Sequence, residues 1–304
     1  MNMKRLALVG IAAILLLSVV LPSLAYAVPS QATDIEITPK ISIKEPKAKG
    51  KPSKNATTGI LGELLQEGAH KYAIVIGISD YYGTENGLQY SDDDAKDMVT
   101  ALTTVYGFPR ENIILLISDY MVNNATRDSI INAICTLSGT AGEGDEVVFF
   151  YSGHGARGKA NDGDNELVDE AIVPWECTAQ SLIWDGELAS LFSGFKTSRI
   201  IFIFDSCYAG GMTDLKADGR IVVMACSESG LSYEFETLEN GQFTYYFVEQ
   251  GIIHGNADMY DHDKDGLFNE GSDVVVEEAF DYAKANCKYQ NPVISDSFTN
   301  DLLP

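Results

Sequence analysis

The sequence predicts an α/β domain, with a mostly parallel central sheet and helices on both faces. Apolar runs such as Val147–Tyr151 and Ile200–Phe204 are short, rich in Ile, Val and Phe, and free of Gly, Pro and charge, as strands buried on both faces are. Stretches of helical period separate them. That alternation calls for right-handed crossovers and places helices on either side of the strands. Of the 304 residues, about 275 remain if a leader is removed, enough for one such domain.

Residues 1–27 read as a signal peptide: basic Lys4-Arg5, the apolar run Leu6–Leu21, then the cleavage signal Ala25-Tyr26-Ala27. The expectation is a secreted protein cut near Ala27. A membrane anchor formed by residues 6–21 is the alternative, although about sixteen apolar residues are marginal for a bilayer. Residues 28–58, rich in Lys, Pro, Ser, Thr and Gly, read as a flexible linker or pro-segment.

Residues 59–304 then form the domain. Lys71–Ser79 reads as its first strand, and Asp92–Tyr106 as a helix whose acidic start suits the positive end of the helix dipole. Asn112–Ser118 is the second strand, followed by a helix over Thr126–Leu137 with Thr126 as N-cap. Glu146–Ser152 is the third strand. The segment Ala171–Pro174 and a short helix near Gly186–Phe195 lead to the fourth strand, which begins at Ile200, and Arg220–Ala225 is the fifth. Helices over Gly241–Glu249 and Asp273–Ala285 follow, with an edge strand in the segment Pro292–Pro304.

The formal charge of -23 is unevenly spread. Lys40, Lys44, Lys47, Lys49, Lys51 and Lys54 crowd the linker, so the domain carries nearly all the acid. An acidic body of this kind argues against nucleic acid as a partner and for cations and basic peptides. There are 5 cysteines. With Cys207 free, Cys135, Cys177, Cys226 and Cys287 either pair as disulfides in an oxidising exterior or stay buried thiols, and their spacing matches no metal site.

The chemistry is expected where two buried strands end. Ile200–Gly211 (IIFIFDSCYAGG) delivers Cys207, and Glu146–Gly155 (EVVFFYSGHG) delivers His154 between two glycines. Catalytic groups of open α/β sheets gather at the carboxyl ends of strands. A thiol beside an imidazole makes a nucleophile and its proton carrier, and flanking glycines let backbone N–H groups approach a substrate carbonyl. Free cysteines are also among the most buried residues, so each residue singly has a structural reading; matched strand ends favour the catalytic one.

Tyr151-Ser-Gly-His154-Gly155, followed about fifty residues later by Asp205-Ser-Cys207-Tyr-Ala-Gly210, resembles the caspase-like cysteine peptidases, and the metacaspases more than the caspases proper. The similarity runs from about Tyr72 through the fifth strand and includes Asp94-Ala95 and Asp169-Glu170-Ala-Ile-Val-Pro174. Legumain-like peptidases, some of them transpeptidases, share the layout. The resemblance implies a caspase-like three-layer sandwich. It further implies a Cys207–His154 dyad and an oxyanion hole formed by the N–H groups of Gly155 and Cys207. Tyr208 stands where caspases that cut after Asp carry an arginine, whereas Asp94 and Asp205 fall where metacaspases place the acids of a pocket for Arg or Lys. The expected substrates are therefore polypeptides with a basic residue at the cleavage site.

No cofactor is expected for the chemistry, with Ca²⁺ as a candidate activator. The resemblance places Asp169, Asp185 and Asp214 at a metacaspase calcium site, with Gly186 where a second aspartate would follow Asp185. A separate reading comes from spacing: Asp261, Asp263, Asp265 and Gly266 match the first half of an EF-hand loop, while Ser272 stands where Glu is usual. The acidic stretch 258–278 is thus a second candidate calcium loop. His70, His254 and His262 read as polar surface. The contrasting class is an inactive peptidase fold that serves as a calcium-binding extracellular interaction protein.

Overall fold

The computed structural model describes residues 32–43, 56, 62–83, 87–162, 166–262, 266 and 271–304. The expected signal peptide, Lys44, Lys47, Lys49, Lys51, Lys54, Asp263 and Asp265 lie outside these residues.

The described chain opens with strands β1 (Thr33–Thr38) and β2 (Ile41–Ile43), followed by the short β3 (Gly62–Glu63). The central sheet takes β4 (Lys71–Ile78), β5 (Ile113–Ser118), β6 (Glu146–Ser152), β10 (Ile200–Asp205), β11 (Arg220–Met224) and β14 (Val293–Asp296), in the spatial order β14-β11-β10-β6-β4-β5. Every neighbouring pair is parallel except β11 with β14. Strand β14 thus closes one edge in the opposite direction.

Alternation along the central strands divides the core. Ile74, Ile76, Phe149, Phe202 and Phe204 face α2 (Arg127–Thr140) and α3 (Asp185–Phe192), which contribute Ile130, Ile134, Leu188 and Leu191. Ala73, Val75, Phe150, Ile201 and Ile203 face the other layer. There α1 (Ser91–Thr100), α4 (Gln242–Thr244) and α5 (Val276–Asn286) contribute Ala95, Met98, Phe243, Ala279 and Phe280. Helices therefore cover both faces. Thr126 caps α2 by accepting the Ser129 N–H.

A second sheet of four strands, in the order β1-β7-β8-β9, lies beyond the carboxyl end of β6. It comprises β1, β7 (Gly155–Lys159), β8 (Asp169–Ile172) and β9 (Ile183–Trp184). A third joins β2 to β12 (Tyr233–Phe235) and β13 (Asn240–Gly241), and β3 pairs with β15 (Asp301–Leu302).

Three expectations are corrected. Residues 33–43, read as linker, form β1 and β2, because Ile35 and Ile37 alternate with outward polar residues and pack on the core. The helix read over Asp92–Tyr106 changes at Ala101 into a wide π-type turn, Ala101–Val105, and the helix read from Asp273 starts at Val276 after a single turn at Gly271–Asp273. Of the two readings left open for the cysteines, the free-thiol one holds: all five are free thiols.

Candidate active site

The strand register sets the site. Asp205 pairs with Ser152 across the parallel β10–β6 ladder, so Cys207 and His154 each lie two residues past the end of neighbouring strands. The chains touch there: Gly153 N–H donates to Asp205 O at 3.3 Å, and a β-carbon at Gly155 would stand 1.8 Å from Cys207 O. Only glycine permits that approach. Tyr208, immediately after the cysteine, adopts the left-handed region at φ 61, a backbone strain of about 1–3 kcal/mol for a residue with a side chain.

His154 is held from both sides. Its ring stacks on Tyr81 at 4.0 Å and 3°, its N–H donates to Tyr81 Oη at 2.7 Å, and its carbonyl accepts from Tyr151 Oη at 2.7 Å. Gly153 makes room for both phenols, since a β-carbon there would lie 2.6 Å from each hydroxyl. Sequence reading passed over Tyr81.

Cys207 and His154 are each only 1% exposed. The cover is the chain's own segment 38–41. Thr38 pairs with Gly155, the residue after His154, and the Cys207 thiol donates to Pro39 O at 3.4 Å. Burial pushes the thiol up to about 11, countered in part by the Ser232 N–H, which meets Sγ at 3.3 Å, and by the charge of Lys40.

Asp94 and Asp205 are both fully buried and hold one lysine between them. Lys40 Nζ lies 3.0 Å from Asp94 Oδ2 and 3.2 Å from Asp205 Oδ1. Ser152 Oγ accepts from Lys40 Nζ at 2.7 Å and donates to Asp94 Oδ2 at 2.6 Å. Gly241 N–H donates to Asp94 Oδ1 at 2.8 Å; Ser232 Oγ and Thr244 Oγ1 donate to Asp205 at 2.5 and 2.7 Å. Burial opposes charge on Lys40, but the two carboxylates outweigh it and hold the ammonium above its ordinary range. Burial raises Asp94 to about 7, with Lys40 pulling it down and Asp205 pushing it up. Two buried carboxylates thus hold a buried ammonium beside a thiol. Ser152, Ser232, Gly241 and Thr244 were not assigned to this group from sequence, because nothing local marks them.

A second acidic group lies on β8 and at the start of α3. Carboxylate oxygens of Asp162, Asp169 and Asp185 lie within 4.8 Å of one another, as do those of Glu166, Glu170 and Asp185. Asp214 belongs to neither set, although its charge acts on Asp185. Glu170 and Asp185 bury both carboxylate oxygens with no hydrogen-bond partner among the described residues. Burial, then the charges of Asp162, Asp214 and Glu170, raise Asp185 to about 10, and burial with neighbouring acids raises Glu170 to about 8. Gly186 N–H donates to Asp162 Oδ2 at 3.1 Å. An all-carboxylate donor set of this kind fits a hard divalent cation.

In the second candidate loop, Asp261 accepts the Gly266 N–H at 3.2 Å, and Asp261 joins no metal-sized group among the described residues. His262 is not surface: it is buried with Nε2 3.2 Å from Glu278.

The family description "Metacaspase, peptidase C14 domain" matches residues 71–216. Metacaspase-1 of Ajellomyces capsulatus is 35% identical over 151 residues, covering 47% of this chain and 41% of that protein. Metacaspase-4 of Arabidopsis thaliana is 36% identical over 148 residues, covering 47% and 34%. The chain thus spans well under half the length of these curated relatives. The crystal structure of protein GSU0716 from Geobacter sulfurreducens shares the fold, with a TM-score of 0.54 and 20% identity over 76% of this chain and 95% of that one.

Proposed function

Residues 71–216 belong to the metacaspase group of caspase-clan cysteine peptidases, and on that premise we propose that the protein is a cysteine endopeptidase of caspase-like fold that cuts polypeptides after Lys or Arg. The observation that carries the specificity is the buried pair Asp94 and Asp205, already holding an ammonium beside Cys207. A neutral or acidic side chain there would leave two buried carboxylates without a cation, which is costly.

In the reaction, Cys207 Sγ bonds to the scissile carbonyl carbon while its proton passes to His154. The tetrahedral oxyanion is held by the N–H groups of Gly155 and Cys207. His154 then protonates the departing amine as the carbon–nitrogen bond breaks, leaving a thioester. Water, deprotonated by His154, adds to the thioester; as the carbon–sulfur bond breaks, His154 returns that proton to Cys207 Sγ, so the carboxylic acid product leaves and the thiol is regenerated. Stacking on Tyr81 fixes the plane of the imidazole.

Calcium is the proposed regulatory ion, held by Asp162, Asp169 and Asp185 with Glu166 and Glu170 nearby. Its charge would relieve the repulsion that raises Asp185. Export through residues 1–27 is part of the same reading.

The test is cleavage profiling on a peptide library with and without Ca²⁺, together with labelling by a peptide electrophile ending in Lys or Arg. The expectation is cleavage after basic residues and labelling lost in Cys207→Ala. Cleavage indifferent to the residue before the cut would overturn the specificity.

A further inference from the structure

We propose that residues 33–43 are a built-in inhibitor of the active site, bound so that Lys40 fills the acidic cavity while no bond of the segment is placed for cleavage. The inference rests on the peptidase reading above and concerns how that site is regulated.

The segment is held as a ligand would be. β1 runs antiparallel to β7, with Ile37 opposite Ala156 and Thr38 opposite Gly155. Arg157 bridges to Glu36 at 2.7 Å and lies over the Tyr208 ring at 4.5 Å, and Tyr208 Oη meets Thr38 Oγ1 at 2.9 Å. β2 then leaves along β12, with Ile41 N–H donating to Ser232 O at 2.9 Å. Between the two strands, Lys40 is buried in the cavity.

A peptide cut after the residue in the cavity must present that residue's own carbonyl carbon to Sγ, with the oxygen turned toward the oxyanion donors. The segment does neither. The carbonyl beside Sγ belongs to Pro39, the residue before Lys40, and its oxygen faces the sulfur, accepting the thiol proton at 3.4 Å. The polarity is also wrong. Ser232 lies against Sγ and β12 leads away from it, so a substrate paired along β12 and ending at Sγ runs antiparallel to β12. β2 runs parallel: Ile41, Ser42 and Ile43 pair in order with Tyr233, Glu234 and Phe235. The geometry is that of a lysine plug threaded backwards. Release of the segment, and not hydrolysis of the Lys40–Ile41 bond within the same molecule, is therefore what opens the site.

The experiment compares the full chain with Lys40→Ser, Lys40→Arg and Ile41→Pro on a fluorogenic peptide ending in Lys, with calcium present. Ile41→Pro removes one ladder donor and leaves the acid pair its lysine, so it serves if Lys40→Ser folds poorly. Expected are rates at least about tenfold higher for Lys40→Ser and Ile41→Pro, corresponding to about 1.4 kcal/mol, and no rise for Lys40→Arg, which keeps a cation in the cavity. Peptide mapping of the unaltered chain is expected to find Lys40–Ile41 intact. Equal rates in all four chains would overturn the inhibitor and leave the peptidase standing. A new N-terminus at Ile41, lost in Cys207→Ala, would overturn the backward placement. No hydrolysis by any chain, together with no labelling of Cys207 by the Lys electrophile, would overturn the peptidase reading itself.

Discussion

A β-carbon on Gly241 would stand 2.4 Å from Asp205 Oδ2, inside the space that Asp205 and Asp94 leave for a basic side chain. The same atom would lie 2.9 Å from Lys40 Nζ. Gly241→Ala is therefore expected to push the cation out of contact with both acids. Activity on Lys and Arg peptides should fall about 100-fold, the scale of a misplacement near 1 Å. Steady-state kinetics against matched peptides, with a melting curve to confirm folding, would check it.

Asp205→Asn keeps the shape of the cavity and removes one of its two charges. Loss of a buried partner costs about 3 kcal/mol, or about 100-fold in kcat/KM for Lys and Arg peptides. Peptides with a neutral residue before the cut should change little. An equal loss on both classes would instead place Asp205 in support of the cysteine turn.

Much of this fold was legible, and the reason is local. Strands such as Ile200–Asp205 are buried along their whole length, so an unbroken apolar run announces them. The plug was not legible. Pro39, Lys40 and the lysines after it give the segment the composition of a linker, and its partners β7 and β12 are far away in sequence. A faint signal existed in the alternation Ile35-Glu36-Ile37 and Ile41-Ser42-Ile43. For the cavity, Asp94 and Asp205 came from a family resemblance, whereas Gly241 and Thr244 are brought there only by α4 packing beneath the sheet's end.

Cys207 should alkylate slowly near neutral pH. Burial first, with the other influences smaller, holds its thiol up at about 11. Iodoacetamide reacts with the thiolate, so the rate should climb about tenfold per pH unit from pH 8 to 10. Because the folded pKa is raised, this thiol's contribution to stability is full below the unfolded value of about 8.5 and is lost as pH rises through about 11. Mass spectrometry of Cys207 against exposed Cys135 gives the profile. A plateau already reached at pH 7 would contradict it.

Asp162 takes the space of a missing side chain, since a β-carbon at Gly186 would lie 2.8 Å from Asp162 Oδ2. Asp162→Ala is expected to weaken calcium binding by at least about tenfold, the cost of losing one carboxylate ligand. Adding Gly186→Asp to that variant should recover binding, whereas Gly186→Asp alone should clash. Titration calorimetry and the calcium-induced rise in melting temperature are the readouts.

Tyr81→Phe keeps the ring on His154 and removes the hydroxyl that accepts the His154 N–H. An unpaired buried donor costs about 1–3 kcal/mol. Melting should drop accordingly while KM stays near its original value and kcat declines; Tyr81→Ala, which also removes the stack, should lower kcat further.

The sheet that carries β1 also carries β8, where Asp169 and Glu170 sit, and β9, which runs directly into Asp185. The proposed inhibitor and the proposed cation site therefore share one hydrogen-bonded ribbon. Equilibrium linkage makes any influence between the two mutual. A cation that loosens β1 by a given factor must itself bind more tightly, by that same factor, once β1 has departed, so a chain whose β1 is displaced would take up calcium at lower concentrations than the closed chain does.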